Sequence, residues 1–240
     1  MTAPASAPAP VRIWITRAEP GASRTAARLT AMGLDPIVAP LLAVETLNPA
    51  LPDLTTFDAL VFTSPNGVAA FAPLTLRRDQ PVFAVGDATA QAASTAGFTE
   101  VRSAQGDLTN LAQLIAASLS NAVLLIPQAE TPAGDMTAAL TLAGARNLVA
   151  HALPVYRTNP THQAPPATFD AVLLHSPRAA RLLADRHAAR LRCARIACIS
   201  PAAAAPLVAL NLDPQIATSP NEAALLAIFT PTLGKRGAPV

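Results

Sequence analysis

Short unbroken apolar runs alternate along this chain with longer segments rich in alanine. One run, Phe57-Asp58-Ala59-Leu60-Val61-Phe62, leads into Thr63-Ser64-Pro65-Asn66. A second, Phe169-Asp170-Ala171-Val172-Leu173-Leu174, leads into His175-Ser176-Pro177-Arg178, 112 positions later. Apolar runs of strand length, with no polar alternation and with turn residues at their ends, predict strands buried on both faces. Proline suits the first position of a helix, where its missing N–H costs nothing, so the serine before it falls at the N-cap. Each copy therefore predicts strand, polar corner and helix, with the corner at the carboxyl end of a parallel strand. Open α/β sheets bind their ligands at such ends.

The echo extends along most of the chain. Val11 to Thr16 reads as a strand, and Ala18 to Met32 as a helix with Pro20 near its start and Gly33 as its stop. Ala122 to Ile126, then Pro127-Gln128-Ala129-Glu130 and a segment ending at Gly144, repeat that plan. A shift of 111 positions lays Glu19 on Glu130, Ala22 on Ala133, Leu29 on Leu140, Gly33 on Gly144 and Val44 on Val155. A shift of 114 lays Val82-Phe83-Ala84-Val85-Gly86 on Ile196-Ala197-Cys198-Ile199-Ser200 and Gly97-Phe98 on Asn211-Leu212. Helices beginning near Asp107 and Asn221 close the two copies. A unit of roughly 110 residues is too long for a solenoid repeat and right for a domain. Alternating strands and helices predict parallel sheets covered on both faces. The fold class is thus α/β: two similar parallel-sheet domains produced by internal duplication, with a cleft between them.

Composition narrows the chemistry. Of 240 residues, 51% are hydrophobic, enough for a large core, and only 13% are charged. A net charge of +2, with no basic run and one Trp and one Tyr, argues against nucleic-acid binding. No apolar stretch is long enough to span a membrane, and the Ala/Pro-rich start lacks the form of a signal peptide. Residues 1–10 and 234–240 read as disordered tails. Cys193 and Cys198 have neither disulfide nor zinc-site spacing, so they read as free thiols of a soluble cytoplasmic protein. The four histidines are dispersed, and neither phosphate-loop nor metalloprotease patterns occur.

The candidate binding residues are those at the strand-to-helix corners: Thr16 and Arg17; Ser64, Pro65 and Asn66; Gly86 and Thr89; Pro127-Gln128; Ser176 and Arg178; Ser200. Helix N-termini offer unsatisfied N–H groups and a positive dipole end, which suit carboxylates or phosphates. The serines and threonines could equally be N-caps and nothing more, and the arginines solvated surface groups. Tyr156, the lone tyrosine, is either a packed aromatic or a functional phenol.

Taken together, Ile15-Thr16-Arg17, Pro40-Leu41, Val61-Phe62-Thr63-Ser64-Pro65-Asn66-Gly67-Val68, Val85-Gly86-Asp87-Ala88-Thr89-Ala90, Val155-Tyr156 and Ser176-Pro177 resemble the uroporphyrinogen-III synthase family in order and spacing, from about Val11 to Phe229. The resemblance implies a discontinuous first domain of 11–39 plus 159–240 and a second domain of 47–150. Strands at 40–46 and 151–158 would form a two-stranded ladder hinge between them. It implies cyclisation of hydroxymethylbilane with inversion of the terminal (D) pyrrole ring and loss of water, giving uroporphyrinogen III, with no metal or organic cofactor. The ligand would be a polycarboxylate tetrapyrrole. The protein would be a monomer, free of nucleic acid and membrane, that takes its substrate in a transient handover from the upstream bilane-forming enzyme. Ser64, Gly86, Thr89 and Ser176 match the family's binding corners, and Tyr156 its hinge tyrosine, the candidate catalytic group. The chain departs from the pattern at Ser200-Pro201-Ala202-Ala203, where hydroxyls are lost, and at Pro127-Gln128-Ala129. Those losses leave a second reading open, a non-catalytic two-domain clamshell that binds a small anionic ligand.

Overall fold

The computed structural model describes residues 9–230. The expected tails at 1–10 and 234–240 therefore lie outside the described residues, apart from Ala9 and Pro10, which are exposed. In chain order the elements are β1 (Arg12–Ile15), α1 (Gly21–Ala31), β2 (Asp35–Val38), β3 (Leu42–Thr46), β4 (Ala59–Phe62), α2 (Pro65–Phe71), β5 (Val82–Ala84), α3 (Asp87–Thr95), β6 (Val101–Ser103) and α4 (Leu108–Ser118). There follow β7 (Val123–Ala129), α5 (Met136–Leu142), β8 (Val149–Pro160), β9 (Ala171–Leu174), α6 (Pro177–Leu191), β10 (Arg195–Cys198), α7 (Pro201–Val208), β11 (Gln215–Ile216) and α8 (Glu222–Ala227).

Residue contacts divide the chain into two compact units. Unit 1 holds the described residues up to Ala43 and from Asn159 onward, and unit 2 is Val44–Thr158. In unit 1 the strand order is β11-β10-β9-β1-β2, and every pairing is parallel. In unit 2 it is β3-β8-β7-β4-β5-β6, with β8, β7, β4, β5 and β6 parallel to their neighbours in that series. The two orders are the same order. Aligned by the duplication, β1, β2, β9, β10 and β11 correspond to β7, β8, β4, β5 and β6. Each sheet therefore takes its leading βα unit from one sequence half and its other three strands from the opposite half. Had each half folded on itself, the boundary would fall near Ser120.

Period-two alternation along the central strands builds a core on each face of each sheet. In unit 1, Ile13, Ile15, Ala171, Leu173 and Ala197 pack with α1 and α8 on one face. Trp14, Val172, Leu174, Ile196 and Cys198 pack with α6 and α7 on the other. Unit 2 repeats the arrangement. Ala59, Val61, Phe83, Leu124 and Ile126 meet α4 and α5, while Leu60, Phe62, Val82 and Leu125 meet α2 and α3. The buried Trp14 indole finds a polar partner in Ala39 O, 2.7 Å away.

The helix stops explain which small residues were retained in the repeat. Gly33 and Gly144 end α1 and α5 with φ of +76° and +72°. Gly97 ends α3 at φ +96°, and its counterpart Asn211 ends α7 at +57°. All four close with the same pair of bonds, seen for α7 as Leu212 N to Leu207 O at 3.2 Å and Asn211 N to Val208 O at 2.9 Å. Asparagine is the next residue after glycine to tolerate left-handed backbone, so the substitution keeps the cap.

One expected corner is displaced. The sequence places a turn from strand into helix at Pro127-Gln128, but β7 runs on through Ala129, with Pro127 paired to Leu153 and Gln128 to Pro154. Beyond Leu125, β7 has no register with β4. Proline's lack of an N–H is tolerated where only one edge of a strand is paired. The turn comes later, and Asp135 caps α5 by accepting from Ala138 N at 3.1 Å.

Candidate functional site

In both sheets the order reverses direction beside the strand that begins the leading βα unit: between β1 and β9 in unit 1, and between β7 and β4 in unit 2. Crevices form at such switch points because the flanking connections leave in opposite directions. Unit 2 has one. A cleft of about 280 Å³ opens there, lined by Thr63 and Ser64 after β4, Val85 after β5, Leu108 at the start of α4, and Tyr156 on β8. Ala129 and the segment Pro132-Ala133-Gly134 complete its wall.

Local sequence explains each position. Ser64 stands at the N-cap of α2 and accepts from Asn66 N at 3.0 Å, followed by Pro65 in the first turn. That cap uses one lone pair of the hydroxyl, so its O–H remains able to donate to a ligand. Gly67 lets α2 approach β7, since a Cβ there would sit 2.8 Å from Pro127 O. Gly134 is held just as closely, with Leu108 Cδ2 2.8 Å from where its Cβ would be. Tyr156 is buried in the unit 2 core with Val155, and a β-bulge at Gln128/Ala129 sets its register against β7. Its carbonyl accepts from Glu130 N at 2.8 Å. The lining residues carry no charged group. A phenol and two hydroxyls are the only side chains there that can give or hold a proton.

The remaining candidates lie elsewhere. Gly86 and Thr89 belong to the β5–α3 corner of unit 2. Thr89 is buried, and its N–H bonds to Gly86 O at 3.0 Å. In unit 1, Thr16 is fully buried and donates to Leu173 O at 2.6 Å, tying β1 to β9. Arg17 lies folded over the start of α1, pairing with Glu222 at 3.2 Å and with Thr25 Oγ1 at 3.4 Å. Burial pulls its guanidinium below its ordinary pKa, while Glu222 opposes that shift. Ser176 and Ser200 cap α6 and α7, accepting from Ala179 N at 3.2 Å and Ala203 N at 3.3 Å. Arg178 is half-buried on the first turn of α6.

So the structure joins Ser64 and Tyr156 in one cleft, and places Thr16, Arg17, Ser176, Arg178 and Ser200 in the other unit. Sequence reasoning missed Thr63, Leu108 and the Pro132-Ala133-Gly134 wall. The turn-rich run Thr131-Pro132-Ala133-Gly134-Asp135, with Asp135 as a cap, was the available signal. It also missed His175. Its two ring nitrogens are shut off from solvent at the β9–α6 corner, and desolvation, aided by the charge of Arg17, depresses its pKa to about 3.

No group of three or more His, Cys, Asp or Glu side chains is placed to hold a metal among the described residues. No helix among them is long and apolar enough to cross a membrane.

Comparison with known proteins bears on the fold and the family. The solved uroporphyrinogen-III synthetase from Helicobacter pylori 26695 shares the fold with a TM-score of 0.65, at 18% identity, over 92% of this chain and 98% of that one. A mutant uroporphyrinogen III synthase from the extremely thermophilic bacterium Thermus thermophilus gives 0.55 at 18% identity, over 91% and 97%. Comparison with curated protein sequences finds no relative. The family described as uroporphyrinogen-III synthase HemD matches residues 23–227, which takes in all of unit 2 and most of unit 1. The chain belongs to the uroporphyrinogen-III synthase family, lyases of tetrapyrrole biosynthesis.

Proposed function

We propose that the unit 2 cleft holds part of hydroxymethylbilane during its closure to uroporphyrinogen III, with Tyr156 as the catalytic group. The observation that carries the reading is the convergence of Tyr156 and Ser64 on one switch-point cleft whose walls are otherwise apolar or small. The substrate's hydroxyl leaves as water, and the phenol of Tyr156 donates the hydrogen bond that eases its departure. The resulting azafulvene closes on the terminal ring through a spiro intermediate, and rearrangement delivers that ring inverted. An uncharged wall leaves the cationic character of this sequence to be stabilised by oriented dipoles, hydroxyls and the substrate's own carboxylates. Most of the acceleration then comes from holding the bilane's two ends in the productive order. Ser64, Pro65, Asn66, Gly86 and Thr89 in unit 2, and Thr16, Arg17, Ser176, Arg178 and Ser200 in unit 1, are assigned to substrate binding through helix N-terminal N–H groups and side chains. The reaction so written uses no metal or organic cofactor. We place the protein in the cytoplasm as a monomer, supplied by the bilane-forming enzyme upstream.

The test is the product isomer. Purified protein given hydroxymethylbilane generated in situ yields the type III isomer, whereas unassisted closure yields type I. Type I alone from folded protein would overturn the assignment.

A further inference from the structure

The duplication gives the unit 2 cleft a counterpart in unit 1, and its residues can be read across. Thr63 and Ser64 become His175 and Ser176, Val85 becomes Ile199, Leu108 becomes Glu222, and Pro132 becomes Gly21. In unit 1 this space is filled from inside. A Cβ on Gly21 would lie 2.4 Å from Arg17 Nε, so the Arg17 side chain occupies the room that the pyrrolidine ring takes in the other copy. Its guanidinium is met by the Glu222 carboxylate, which Thr25 also hydrogen-bonds and which Arg28 approaches at 3.8 Å.

At the same corner His175 stands out among the described residues. Both of its ring nitrogens are shut off from solvent and have no hydrogen-bond partner. A neutral imidazole carries one donor and one acceptor, and buried polar atoms in native proteins are almost always paired. A cation engaged with an internal carboxylate, close enough to an unmet N–H to act on it electrostatically and near the N-terminus of α6, is a binding arrangement for a carboxylate.

We propose that this corner of unit 1 is a second carboxylate subsite, self-occupied in the free protein: a ligand carboxylate displaces Glu222 from Arg17 and accepts the hydrogen bond that the His175 ring N–H lacks. Glu222 holds the place of the ligand and keeps Arg17 in position. A folded, desolvated arginine would otherwise be left without a counter-charge. The proposal rests on reading the ligand as a polycarboxylate tetrapyrrole. It adds to that reading a particular histidine contact and an internal competitor.

The test uses the full chain and uroporphyrin III, the oxidised octacarboxylate, as probe. With only four histidines in the chain, the ring nitrogens can be followed individually by ¹⁵N NMR. Saturating uroporphyrin III shifts the His175 ring nitrogens, and Glu222→Gln, which removes the competing charge, tightens binding by about tenfold, the scale of one charge-assisted hydrogen bond. His175 resonances that stay put at saturation in the wild-type protein overturn the subsite, as does a folded Glu222→Gln variant that binds no tighter. The isomer assay is independent of both. Type III product with an unmoved His175 sinks the subsite alone, and type I product with a shifted His175 sinks the synthase reading alone. Absence of binding at millimolar uroporphyrin III sinks the subsite and leaves the synthase reading to the isomer assay.

Discussion

The two switch points of this protein descend from one design and have diverged in opposite directions. In unit 2 the space beside β4 and β7 is open, uncharged and overlooked by Tyr156. In unit 1 the matching space beside β9 and β1 is closed by Arg17 and Glu222, next to a histidine with no partner. The backbone frame is nearly unchanged, with the same strand order, the same caps at Ser64 and Ser176, and the same helix stops. What differs is a handful of side chains after the strands. The divergence of these duplicated α/β units is thus concentrated at the corners, while the sheet and its two cores stay as the common scaffold.

The sharpest way to break the comparison is to remove the phenol from the open side. Tyr156→Phe is expected to lower the rate of type III formation about a hundredfold, the low end of general-acid contributions, with product affinity unchanged. Equal turnover in the two proteins would take Tyr156 out of the chemistry. Next comes the close approach that shapes the unit 2 corner. Gly67→Ala forces a methyl to 2.8 Å from a backbone oxygen. It is expected to cost about 2 kcal/mol in urea unfolding, as overpacking does.

The closed side answers to pH. His175 is depressed from 6.5 to about 3 by burial first and by Arg17 second. The unfolded chain therefore binds the extra proton between those values, and the contribution to stability is full above about 6.5 and drains away as pH falls toward 3. Between pH 7 and pH 5 the wild-type protein should lose about 2 kcal/mol that a His175→Phe variant retains, read from paired denaturation curves. Matching losses in the two proteins would show that the imidazole titrates freely. The smallest effect is the shared one. Ser64→Ala and Ser176→Ala should each cost about 1 kcal/mol, the usual worth of an N-cap. A clear inequality between them would mean that one serine has a structural task the other lacks.

Much of the scaffold is legible in the sequence because the physics behind it is local. Unbroken apolar runs mark β4 and β9, Ser-Pro marks the starts of α2 and α6, and Gly97 opposite Asn211 marks two left-handed stops. The α/β class and the synthase family followed from such features in sequence order. The site was harder to read, for reasons that are also physical. Pro127-Gln128 looks like a turn, yet proline fits a strand with one unpaired edge, and that vacancy is decided by where β4 ends. The cleft wall at Pro132-Ala133-Gly134 consists of residues with no chemistry of their own, whose worth is the volume they leave. Glu222 reaches Arg17 across more than two hundred positions, a partnership that only the assembled unit reveals.

The exchange of βα units between the two sequence halves also sets an order of events during synthesis. Unit 2 is one continuous stretch, finished once Thr158 has been made. β1 has by then been waiting while the whole of unit 2 was made, because its neighbour β9 pairs Ile13 with Ala171. Closing that long loop through an unstructured chain carries an entropic cost, and a folded insert in the middle shortens the disordered path. The nascent chain is thus expected to complete its central unit first and then to gather its two ends, with unit 2 amides protected ahead of β1 and β2 in pulsed hydrogen exchange.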